Sequence, residues 1–148
     1  MTHQSKTTFL TYAAYILIGF GLLSFFSLIT PLSHLMVFFM DLTFWAVSTN
    51  DHGVATESAR LWIGISGGLM VGYGITLALV AQGVYARDKE LGGRIIMAGI
   101  IGWFIFDGLG SIAAGAGINA ALNLTFLALF CAPILWPESP STGEQAAI

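Results

Sequence analysis

IIMAGIIGWFIFDGLGSIAA, residues Ile95–Ala114, decides how this chain folds. A bilayer core is about 30 Å thick and needs roughly 20 apolar residues of helix at about 1.5 Å each. This stretch supplies them with a single charge, Asp107. Three other stretches share its character. Phe9–Thr30 and Ile118–Leu135 contain no charge, and Leu61–Ala86 has Gln82 as its most polar member. Backbone groups in lipid must be paired within the structure, which allows helices or a closed barrel. Barrel strands alternate apolar and polar residues, and these runs do not. The expected fold is all-α: an integral membrane, antiparallel four-helix bundle. The expected spans are 9–30, 61–86, 95–114 and 118–135 within a single domain, residues 1–136.

Composition agrees. Of 148 residues, 56% are hydrophobic and only 9% are charged, against about a quarter charged in soluble domains. Mean hydropathy is +0.82. So little charge cannot cover a water-facing surface, which argues against a conventional soluble enzyme and against a disordered chain. The formal net charge of −3 leaves no basic patch for nucleic acid. The one cysteine, Cys131, lies in an apolar run and reads as an inert packing residue.

Lys6 precedes the first span, Arg87, Lys89 and Arg94 lie between the second and third, and only Arg60 lies between the first and second. The excess of basic residues on one side places both termini at the cytoplasmic face. The first span is too long for a signal peptide and has no clear small-x-small cleavage site, so it reads as a retained anchor. The segment PLSHLMVFFMDLTFWA, Pro31–Ala46, is apolar but too short to span. It is expected to form an interfacial or re-entrant helix, with Trp45 at the headgroup boundary. Ser48–Gly53 reads as a loop, and 137–148 as a flexible cytoplasmic tail.

Polar residues within the spans are the functional candidates. Trp103, Asp107, Ser111 and Ala114 share one helical stripe, with Ile101, Ile105, Leu109 and Ile112 roughly opposite. A carboxylate at membrane depth is expensive and should face inward. Asn119 and Asn123 lie one turn apart just after the short turn at Gly115–Gly117. Counting from that turn, Asp107 and Asn123 reach similar depths and are expected to approach each other. Gly64, Gly68 and Gly72 repeat at the spacing that lets helices pack closely, with Gln82 on the same stripe. Gly67, Gly68 and Ser24 fall at the level of Asp107.

His34 stands among aromatics, the setting of a haem or chlorophyll ligand or of a quinone-associated site. With His3 and His52 far away in sequence, no paired metal motif exists and no metal site is expected. The chain has no G-x-S-x-G elbow, no H-E-x-x-H and no P-loop.

The stretches GISGGLMVGYG (Gly64–Gly74), WFIFDGLGSIAAG (Trp103–Gly115) and NAALNLTFLALFCAPIL (Asn119–Leu135) resemble a family of small bacterial inner-membrane proteins with four helices and no established activity. Its pattern falls on Trp103, Phe104, Asp107, Gly110, Ser111, Asn119 and Asn123. The likeness implies a bacterial inner-membrane location and the same four-helix fold, and no reaction. The leading functional expectation is a non-enzymatic accessory or scaffold subunit, for example in a respiratory or photosynthetic complex. It would pack against lipid, other subunits, a cofactor or a second copy through its glycine-rich face. The alternative is a proton, cation or small-ligand binding or transport module around Asp107. A quinone- or haem-associated protein is a further alternative, and no cofactor is specified.

Overall fold

The computed structural model describes residues 1–29, 32–44 and 56–139. The described residues are helical, with no strand among them. They form α1 (His3–Phe26), α2 (Ser33–Thr43), α3 (Glu57–Leu79), α4 (Lys89–Ala113) and α5 (Gly117–Leu135). A π-helical turn, Val80–Tyr85, continues α3. Four helices are long and apolar enough to cross a membrane: α1, α3 with its π-turn, α4 and α5. At about 1.5 Å per residue, the shorter α2 has less than the reach of a bilayer core.

Three spans begin earlier than their apolar stretches, because capping groups lie in the polar flanks. Thr2 accepts from Ser5 N–H, Thr56 from Ala59 N–H, and Asp88 from the N–H groups of Glu90 and Leu91. These acceptors satisfy donors that a helix start leaves open. The short helix covers Ser33–Thr43 of the expected 31–46. Pro31, Trp45, Ala46, the Ser48–Gly53 loop and 140–148 lie outside the described residues.

Two helix pairs build the bundle. α1 packs most extensively on α3, and α4 on α5. Glycine sets the first contact. A Cβ on Gly21 would stand 2.8 Å from the Gly67 carbonyl, one on Gly67 2.8 Å from the Gly21 carbonyl, and one on Gly74 3.1 Å from the Ala14 carbonyl. Residue numbers rise along α1 as they fall along α3, so this pair runs in opposite directions. The expected Gly64/Gly68/Gly72 stripe is therefore corrected within this chain. Gly64 meets only the tip of Leu28 at 3.2 Å, and Gly68 and Gly72 have open space where a Cβ would stand. The face turned to α1 carries Gly67 and Gly74, whose spacing also repeats on one helical side.

The two pairs join near the end that holds both termini. There Leu10, Leu17, Leu77, Ile96, Ile100 and Phe130 form the buried core. In the π-turn, Ala86 N–H reaches back to the Ala81 carbonyl at 3.1 Å, and Tyr85 is buried. Gly92 of α4 lies against the Tyr85 backbone, where no Cβ fits. At mid-depth the Tyr73 hydroxyl fills the space a Cβ on Gly99 would need.

The residues expected to open a flexible tail are pinned instead. Lys6, 2% exposed, donates to the Trp136 carbonyl at the C-terminal end of α5. Glu138 meets Lys89 at 3.1 Å, His3 at 3.8 Å and Lys6 at 3.9 Å. The N-terminal ammonium donates to the Ser139 hydroxyl, and Ser139 N–H donates to the Met1 carbonyl. Opposite charge and the unsatisfied carbonyls of a helix end account for this clasp.

Candidate functional site: a carboxylate held by two asparagines

The turn between α4 and α5 positions the site. Gly115 adopts a positive φ of 80°. Its N–H bonds the Ile112 carbonyl and the Ala116 N–H bonds the Ser111 carbonyl, the pattern that closes a helix on a left-handed residue. α5 then starts at once and returns along α4. Gly108 keeps the two helices close, with its Cβ position 4.0 Å from Ala120 Cβ.

This geometry brings together the polar residues expected from the sequence. Asn123 Nδ2 donates to Asp107 Oδ2. Asn119 Nδ2 donates to the same oxygen at 3.3 Å and to Ser111 Oγ at 2.9 Å. Ser111 and Asn123 are buried, at 9% and 8% exposure. Asp107 and Asn119 are half-buried. The amide donors converge on one carboxylate oxygen, and none of the described ion pairs includes Asp107.

Trp103, one turn before Asp107, lies edge-on to Phe126 with ring centroids 6.2 Å apart. Phe126 meets Phe20 at 6.0 Å, and Phe20 meets Phe39 of α2 at 5.3 Å. These rings link α4, α5, α1 and α2 in one aromatic layer, from which Asp107 and Asn123 are both displaced toward the α4–α5 turn.

The face of α4 that carries Asp107 changes surroundings along its length. Near the termini it is Gly92, Ile96 and Ile100, all buried. From the aromatic layer outward the same face continues as Trp103, Asp107, Gly110, Ser111 and Ala114, of which Trp103 and Asp107 are half-buried, Ser111 is buried, and Gly110 and Ala114 are exposed. α5 covers one flank there. The other flank meets the π-turn at the opposite end, while among the described residues nothing lies within 4 Å of a Cβ placed on Gly110. The network can accept a proton or a hydrogen bond, or pair with a cation.

His34 is exposed on α2. Among the described residues, no group of three or more His, Cys, Asp or Glu side chains is placed to hold a metal ion. Cys131 is half-buried in α5. His52 lies outside the described residues. The clasp of His3, Lys6, Lys89 and Glu138 was not anticipated. Its legible signal was a pair of basic residues before the first span and one acid just after the last. A groove of about 410 Å³ opens beside it, lined in part by Lys6, Lys89, Glu90 and Glu138. Two cations and two carboxylates give it no net preference for an ion.

No family model, no curated protein and no solved structure matches this chain.

Proposed function

We propose that this protein is a non-enzymatic accessory or scaffold subunit of a membrane assembly. One observation carries the reading. Among the described residues, the face of α4 that is buried at Ile96 and Ile100 continues into half-buried Asp107 and exposed Gly110 and Ala114, with Ser111 buried beside them. A carboxylate left toward hydrocarbon costs about 2.5–3.5 kcal/mol on insertion scales and more in other treatments. Another membrane component covering that face removes the penalty. The bacterial inner membrane, with both termini cytoplasmic, is the proposed setting; reporter fusions at the chain ends and at Gly115 test the orientation.

The test of function is a photo-crosslinker placed at Gly110 in native membranes, with Leu109 on the neighbouring face as control. A discrete adduct from Gly110 that survives mild-detergent purification is the expected result. A single species of bundle mass with no adduct refutes it.

A second reading is favoured by the convergence of two amide donors on a half-buried carboxylate that none of the described ion pairs includes: the network binds a proton or small cation. Asp107→Asn then alters proton coupling or cation uptake in vesicles while membrane insertion stays intact. Unchanged transport in that variant removes the carboxylate from the mechanism. The haem or quinone reading at His34 rests on sequence setting alone, and visible absorption after purification tests its haem form.

A further inference from the structure

Among the described residues Asp107 has no counter-charge, and the Lys and Arg side chains are accounted for elsewhere. The chain has five Lys and Arg residues in all. Lys6 and Lys89 pair with Glu138, and Arg94 pairs with Glu90. Arg60 donates to the Leu28 carbonyl. Arg87 follows the π-turn at the end that holds the termini. None of the five reaches the Asp107 network.

Tyr73 and Gly99 touch where α3 and α4 meet at mid-depth. Counted away from the termini, Ser66 on α3 and Asp107 on α4 lie at similar heights, each about 10–12 Å farther out. By helical periodicity the side of α3 that carries Tyr73 continues through Leu69, Ser66 and Trp62, and Leu69 and Trp62 are 69% and 65% exposed. The side of α4 that carries Gly99 continues through Phe106, which is 78% exposed, and Gly110, with Asp107 at its edge. Among the described residues these exposed sides border a cleft on the side away from the termini. Its walls include small residues that admit a helix backbone closely, and a Cβ on Gly110 would meet nothing within 4 Å.

We infer that this cleft receives a transmembrane helix of another protein that carries a lysine or arginine at the depth of Asp107. The inference rests on the accessory-subunit reading and names the chemistry of the partner. Charge complementarity selects the occupant. Two amides hold Asp107 Oδ2, and a carboxylate has about four lone-pair sites, so this half-buried group keeps capacity for a charge-assisted bond. A guanidinium or ammonium there neutralises both intramembrane charges at once. A second copy in the same orientation does not supply this cation. Its Lys6, Arg87, Lys89 and Arg94 stand near the termini, and its Arg60, about 7–8 Å beyond the level of Asp107, is engaged by the Leu28 carbonyl.

The experiment reconstitutes the full chain in phosphatidylcholine vesicles with a donor fluorophore at its C-terminus. The probe is a synthetic leucine-alanine transmembrane peptide with one arginine at the Asp107 depth and an acceptor fluorophore. The control peptide has leucine in place of arginine. Saturable energy transfer is expected with the arginine peptide, at least about tenfold tighter than with the leucine peptide. Asp107→Asn abolishes that difference. Gly110→Leu keeps the carboxylate but fills the cleft, so it weakens docking and keeps the question open to refutation if Asp107→Asn fails to fold. Equal docking of the two peptides, or no saturable docking by either, overturns the inference. Those results leave the accessory-subunit reading to the Gly110 crosslink in native membranes, so the two fail separately.

Discussion

Gly67→Ala and Gly68→Ala differ by one position and are expected to act in opposite directions. A methyl group at 67 stands 2.8 Å from the Gly21 carbonyl and 2.9 Å from the Phe25 amide nitrogen. Ordinary contact begins near 3.4 Å, so α1 and α3 must part by several tenths of an ångström. Both obstructing atoms belong to backbone and cannot rotate away. Overpacking of this kind costs about 1–3 kcal/mol, against a gain of about 0.5–1 kcal/mol in helix propensity. At 68 the methyl meets nothing within 4 Å, so only the gain remains. The two variants should therefore differ by about 1–3 kcal/mol, roughly 5- to 150-fold in the folding equilibrium. Unfolding in mixed micelles titrated with sodium dodecyl sulfate, followed by tryptophan fluorescence, measures the difference. Equal loss in both variants, or a larger loss from Gly68→Ala, refutes the assignment of the α1–α3 interface to Gly67.

The other predictions concern the polar network, the termini and the π-turn. Asn123→Ala removes one of the two amide donors to Asp107 and is expected to destabilise the protein by about 0.6–1.7 kcal/mol, the range for hydrogen bonds between membrane helices, in the same micelle titration. Gly92→Ala forces a methyl into the Tyr85 backbone and should lower the yield of folded protein, whereas Gly83→Ala meets open space and should not; size-exclusion profiles of the detergent extracts compare them. Glu138 has its carboxyl held below its usual 4.5, first by the hydrogen bond from Lys89 and then by the charges of Lys89, Lys6 and His3. A depressed carboxyl favours the closed clasp above its ordinary titration range, and this contribution is lost as pH falls through the lowered value. Energy transfer between labels at the two chain ends should therefore fall on acidification below about 4.5, the ordinary value for this group. In Glu138→Gln it should be lower at neutral pH and no longer vary through this transition.

Much of the site was legible because helix geometry converts spacing into position. Asp107 and Ser111 are one turn apart, as are Asn119 and Asn123, and the glycine turn between them is short. Equal counts from that turn give equal depth, so the carboxylate and the amides had to meet if both stretches were helical. The glycine interface was less legible. Gly64, Gly68 and Gly72 display the familiar spacing, but Gly67 and Gly74 also share a side, and periodicity does not say which side faces α1. Rotation of a helix about its axis is fixed by the neighbour's shape, here by Gly21 and the backbone around it. The clasp was harder to read for a different reason: the charges at the two ends are visible in the sequence, but Lys6 and Glu138 are separated by nearly the whole chain, and local pattern does not pair them.

The sequence by itself determined that four stretches enter the apolar class and where its one intramembrane acid sits, because the penalty for unpaired backbone and for charge in hydrocarbon depends only on local composition. Tertiary structure decided which glycines touch, that Lys6 and Glu138 meet, and that the two helix pairs share a buried core near the end holding the N-terminus. Those outcomes depend on how rigid helices fit against one another, and that fit is a property of the assembled bundle.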